Sequence, residues 1–193
     1  MTVTVLIKKI TVRWCETGII EKSDEDVYEY GLDLLLYTIL NIAVILFSAA
    51  FIGKIAESIA LLAVILPLQS FGGGYHAKTH LRCFLIMYIG WWAVILLLPL
   101  IKPAVAVAMS CAAVFVVYRL APVPHVNVTM SDGQRAKMQK LARQVVGAGA
   151  VVSIFLSIIT SERIGTAMSA GLGVTALSIL IAHGKNMLME DRK

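Results

Sequence analysis

A chain of 193 residues that is 59% hydrophobic and 15% charged, with a mean hydropathy of +0.82, is too apolar for a soluble domain and reads as a membrane protein. On a soluble chain its formal net charge of +5 would raise nucleic acid as a partner; here the charges are scattered between apolar runs, so membrane topology accounts for them and no nucleic-acid partner is expected. Cys15, Cys83 and Cys111 are odd in number and lack C-x-x-C spacing, which argues against a disulfide framework.

In chain order, Lys8, Lys9, Arg13 and Glu16 interrupt any apolar core in residues 1–22, and no small-residue cleavage site follows. The segment is therefore expected to stay on the mature protein. Within it Val3, Leu6, Ile7, Ile10 and Trp14 recur at helical spacing, which predicts an amphipathic helix lying at the membrane interface or docked on the rest of the chain. Ser23, Asp24, Glu25 and Asp26 then make a polar, acidic start suited to a helix N-terminus.

Apolar runs follow near 32–52, 55–71, 84–101, 103–120, 145–159 and 164–182, the second broken late by Pro67 and the fourth and fifth separated by a polar loop at 122–144. The expectation is an all-α membrane protein: one polytopic domain over 1–193, with about six transmembrane helices after the N-terminal amphipathic one. Several runs fall near or below the ~20 residues that cross a bilayer upright, so two of them also fit re-entrant hairpins. Six spans leave Lys54, Lys102 and Arg163 on one side of the membrane and the remaining fourteen of the 17 Lys and Arg residues on the other. Positive residues stay inside, so both termini and the loop between the second and third spans are expected in the cytoplasm.

That loop reads FGGGYHAKTHLRC, residues 71–83. Three consecutive glycines weaken a helix and predict a turn or a close backbone approach; outside a strand-to-helix context with a P-loop lysine and Ser/Thr they give little support to a phosphate cradle. His76 and Cys83 have the chemistry of a general base and a thiol nucleophile. On one continuous helix a seven-residue spacing puts them on one face but ~10 Å apart, too far to hydrogen-bond. Pairing therefore requires a break, and Thr79 is a suitable N-cap for a helix starting at His80. Cys83 would then lie near the first turn, where the helix dipole and Arg82 favour a thiolate. Other readings stand beside this one. Cys83 can be a packed thiol beside an interfacial His76. His76, His80 and Cys83 have the i, i+4, i+7 spacing of metal ligands, although the glycines oppose a continuous helix. His76 and His80 can line the polar path of a transporter or channel, and a non-catalytic membrane scaffold is a further class. Neither a metal nor a cofactor is expected.

The longer stretch LPLQSFGGGYHAKTHLRC, with its Gly-Gly-x-His core and a Cys seven residues after the His, resembles the signature region of the accessory gene regulator protein B family (AgrB). These are membrane cysteine endopeptidases of Gram-positive peptide quorum sensing. YEYGLDLLL at 28–36, APVPHVN at 121–127 and the six-span layout extend the resemblance over most of the chain. The resemblance implies that Cys83 is the nucleophile and His76 its base, acting at a bacterial cell membrane on a small precursor peptide. Cleavage leaves an acyl-enzyme thioester, which an internal Cys or Ser of the precursor attacks to close a thiolactone or lactone. Where family members often carry Arg seven residues before the His, this chain has Gln69, and its loop continues PHVNVTMS in place of an acidic and lysine-bearing tract. Gln69 and the backbone N–H groups around Gly73 and Gly74 are the candidate substrate or oxyanion donors.

Of the remaining polar residues, His125 and Asn127 fit ordinary loop composition, and Asp33 and Glu57 fit interfacial placement near span ends. Cys15 and Cys111 fit packing. Gly147, Gly149, Gly165, Gly171 and Gly173 offer small faces for close helix packing, within the chain or in a homodimer.

Overall fold

The structure, a computed structural model, describes residues 3–75, 79–123, 131–159 and 163–190. Among these, seven α-helices follow one another: α1 Val3–Glu16, α2 Glu25–Phe51, α3 Ile55–Gly72, α4 His80–Leu97, α5 Pro103–Leu120, α6 Asp132–Ile159 and α7 Arg163–Glu190. A short 3₁₀ turn at Lys22–Asp24 leads into α2, and another at Leu98–Leu100 prolongs α4. Six of the helices are long and apolar enough to cross a membrane. The chain is an all-α membrane protein preceded by a short N-terminal helix, as its apolar runs predict.

Three helices are longer than their apolar runs, two of them for a local reason. Glu25 and Asp26 occupy the first turn of α2 and favour its positive end, so the helix starts well before Leu32. Ser131 and Gln134 form a capping box: the Ser131 Oγ accepts from the Gln134 N–H at 3.3 Å, and the Gln134 Oε1 accepts from the Ser131 N–H at 3.0 Å. With those amides satisfied, α6 begins at Asp132, and the second half of the expected 122–144 loop is helical. α7 likewise runs to Glu190, past the apolar limit at 182. Pro67 does not break α3, which continues to Gly72; neighbouring helices in a bundle compensate for the backbone hydrogen bond that proline removes.

α7 is the central helix, with 61% of its apolar window buried against 17% for α2 and α4. Val64 and Leu68 of α3, Val117 of α5, Val146 of α6 and Leu172 and Ile179 of α7 share one apolar core. Small residues let the backbones close in. A Cβ on Gly171 would lie 2.6 Å from Val64 Cγ2, one on Gly173 would lie 2.7 Å from Met109 Cε, and one on Gly149 would touch Val64 at 3.4 Å. These glycines, with Gly165 at the α6–α7 corner, serve packing inside the chain, whereas Gly147 faces open space. Buried hydroxyls join the same helices: Ser110 of α5 bonds Ser153 of α6 and Ser169 of α7, both at 3.0 Å.

α2 and α4 lie to one side, where Ile45 and Ala49 pack with Leu61, Ile65, Trp91 and Ile95. The Trp91 Nε1–H donates to Ser58 Oγ at 2.9 Å, and the hydroxyls of Ser48 and Tyr88 meet at 3.1 Å. α1 docks on α2: Ile7 and Thr11 are buried, Trp14 meets Tyr28 edge-on at 6.4 Å, and Cys15 Sγ donates to Glu25 Oε2 at 3.8 Å. Leu6 and Ile10 stay exposed on the same helix, so docking does not use up its apolar face. Partial burial and the Glu25 carboxylate push the Cys15 thiol above its ordinary pKa, which suits a packed, unreactive cysteine. Cys111, expected to pack, is instead exposed on α5. Glu57 sits in the first turn of α3, in a 2.7 Å ion pair with Lys54.

Candidate functional site at the glycine turn

α3 stops because its next residue leaves helical space. Gly73 has φ 71° and ψ −167°, a conformation essentially reserved for glycine. The Gly72 carbonyl accepts from the Val123 N–H at 3.0 Å, and Gly73 forms an isolated parallel bridge with Val123. The approach is so close that a Cβ on Gly73 would run into the Val123 carbonyl oxygen. Gly74 is covered from the other side, where a Cβ would lie 2.8 Å from Ser178 Oγ of α7. That hydroxyl accepts from the Tyr75 N–H at 2.9 Å, and Lys185 Nζ stands 5.2 Å from the Tyr75 ring centre. The triple glycine is thus a turn clamped between α7 and the strand-like end of the α5–α6 connection.

The clamp has its own support. Ala121, Pro122 and Val123 are buried, with a cis bond between the first two. The Gln139 side chain of α6 donates to the Ala121 carbonyl at 3.4 Å. Arg143 donates to the Tyr118 carbonyl at 3.0 Å and stacks its guanidinium 5.1 Å over the Tyr118 ring. Nothing in local spacing pointed to Ser178 or Gln139, because their partners lie far along the chain. The Ala-Pro tract at 121–122 was the one readable sign of the segment that meets the turn at Val123.

Beyond the turn, α4 begins where spacing required a break. Thr79 is extended, with φ −136° and ψ 148°, and its side chain accepts from the Arg82 N–H at 3.4 Å. Such a cap is worth about 1 kcal/mol. The Cys83 N–H then makes a first i to i+4 helical bond, to the Thr79 carbonyl at 3.0 Å. Cys83 therefore sits on the opening turn of α4, partly exposed. Gln69 is half-buried on the last turn of α3. The structure so brings Gln69, Gly73 and Gly74 to the turn and Cys83 to the helix that follows it. His76, like His125 and Asn127 of the polar loop, lies outside the described residues, as does the side chain of His80.

Comparison with curated proteins and with solved structures gives no match. A family model described as accessory gene regulator B matches residues 3–181, most of the chain, and this protein belongs to the accessory gene regulator B family.

Proposed function

We propose that the protein is a membrane cysteine endopeptidase that cleaves an autoinducer precursor peptide, with Cys83 as nucleophile and His76 as general base. Membership of the family supports involvement in autoinducer peptide processing in quorum sensing. The observation that carries the finer reading is the position of Cys83: a partly exposed thiol on the capped first turn of the helix that follows the clamped glycine turn in the chain. A partly exposed thiol is open to a substrate carbonyl, and a clamped turn limits the approach of a base.

The chemistry follows from those groups. His76 takes the thiol proton, and the Cys83 sulfur attacks the scissile carbonyl. Collapse of the tetrahedral species breaks the C–N bond, and the proton passes to the departing amine. The N-terminal part of the precursor is left as a thioester on Cys83. An internal Cys or Ser of that fragment then attacks the thioester carbonyl, closing a thiolactone or lactone and returning the Cys83 thiol. Exchange keeps the acyl group activated where water would discharge it, so a site beside the apolar bundle favours cyclisation. The Gln69 carboxamide and the N–H groups near Gly74 are the donors proposed for the substrate or the developing oxyanion.

His76→Ala is expected to lower precursor cleavage by about 10²-fold or more, the scale of a lost general base, while His80→Ala retains substantial activity. The check is cleavage by membranes carrying each variant; equal loss at both, restored by added zinc, contradicts the dyad. The charge sorting further supports a cytoplasmic position for the turn, both termini and the 132–144 half of α6, where a ribosomally made precursor is met. Single cysteines introduced beside Lys54 and beside Lys137 are expected to label from opposite faces of the membrane, and labelling from one face contradicts this orientation.

A further inference from the structure

Asn41 is the one asparagine within the described part of α2, and it lies on the ridge that continues through Ile45 and Ala49 into the α3–α4 side of the bundle. It is only 6% exposed, and its Oδ1 is shielded from solvent with no hydrogen-bond partner among the described residues. A carboxamide held in that state inside an apolar bundle is destabilising, and it invites a ligand that supplies the missing donor.

Its depth in the bundle says which ligand. α2 and α4 are successive parallel spans, separated by the antiparallel α3. Ser48 meets Tyr88, a separation of 40 residues, so going two turns back along both helices brings Asn41 level with Leu81, about 3 Å in depth from Cys83. On the antiparallel side Trp91 of α4 bonds Ser58 of α3, and going eleven residues back along α4 and eleven onward along α3 brings Gln69 level with position 80. Two carboxamides therefore stand at the level of the thiol, on the two helices that flank it. A carboxamide carries one acceptor and a donor pair side by side, the complement of a peptide group's N–H and C=O.

We infer that Asn41 is a substrate-binding residue, whose Oδ1 accepts a backbone N–H, and whose Nδ2 donates to a backbone carbonyl, of the peptide segment lying across Cys83. This rests on the reading of Cys83 as the nucleophile. It makes the substrate segment extended and read through its backbone at this point, so the side chain at that position of the precursor contributes little to selection.

The test compares Asn41→Leu with the parent chain in detergent and in liposomes, using iodoacetamide as a thiol probe and a synthetic precursor that the parent chain cleaves. Leucine removes the unpaired group, so the variant is expected to melt at a higher temperature than the parent. KM for the precursor is expected to rise about tenfold with kcat held within about twofold, the pattern of lost ground-state binding. Alkylation of Cys83 by iodoacetamide, which has no peptide backbone, is expected to be unchanged in a Cys15→Ser, Cys111→Ser background. A lower melting temperature would make Asn41 a structural residue and overturn the inference. So would an unchanged KM, or a loss confined to kcat, which would put the amide on the reacting carbonyl instead. If Cys83→Ala cleaves the precursor as well as the parent does, the nucleophile assignment itself fails, and this inference with it, whatever Asn41→Leu does.

Discussion

Replacing Cys83 by alanine is expected to abolish precursor cleavage, by about 10⁴-fold or more, while the protein remains folded in the membrane. The size follows from the chemistry: without a thiol, no acyl bond to the enzyme forms, and the residual rate is what substrate positioning alone supplies. The fold should survive because Cys83 is only partly buried and is a free cysteine. The Thr79 cap and the backbone bond from Cys83 to Thr79 are untouched by the change. Cys83→Ser should be severely slowed as well, because a hydroxyl beside the same base is a far weaker nucleophile than a thiol. Quantitative cleavage assays on purified, membrane-inserted variants decide this, and near-parent activity in either variant contradicts a thiolate mechanism.

The second large effect is expected at Gly73. Alanine there must adopt a φ of 71° with ψ −167°, which costs about 1–3 kcal/mol in strain, and its methyl group meets the Val123 carbonyl. Backbone cannot yield as a flexible side-chain tip can, so either the Val123 bridge opens or the turn shifts. Both outcomes move the chain that leads to Cys83, and a displacement near 1 Å costs about 10²-fold where a nucleophile and base must align. Gly53→Ala is the control. Gly53 also has a positive φ, 65°, yet a Cβ there meets nothing within 4 Å. It should lose a little stability and no activity. Melting curves and cleavage rates together make the comparison, and equal behaviour of the two variants would show that the Val123 clamp is irrelevant to catalysis.

The architecture was legible in the chain because six apolar runs, sorted by their flanking lysines and arginines, leave few other arrangements. The break before α4 was legible for a physical reason of the same kind. A seven-residue spacing cannot bring a base to a thiol on a straight helix, and Thr79 was the residue able to cap a new one. The helix extents were less readable, since hydropathy ends where the lipid ends and helices do not. α6 projects beyond its apolar run on the strength of the Ser131–Gln134 capping box, a signal present in the sequence but masked by the polarity around it. The clamp on the turn was not readable at all. Ser178 lies 103 residues from Tyr75, and a serine in an apolar helix carries no mark of the backbone amide it will accept. Gly171 and Gly173 are a middle case: their small size announced close packing, while the choice of Val64 and Met109 as partners came from the tertiary arrangement.

The central claim is an acyl bond between Cys83 and the precursor, and intact-protein mass spectrometry after acid quenching in the first turnovers tests it most directly. The expected result is a population of the parent chain heavier by the N-terminal fragment of the precursor, with the added mass mapped to Cys83 and released by hydroxylamine. Absence of any adduct while cleavage proceeds, or an adduct that persists in the Cys83→Ala chain, contradicts it.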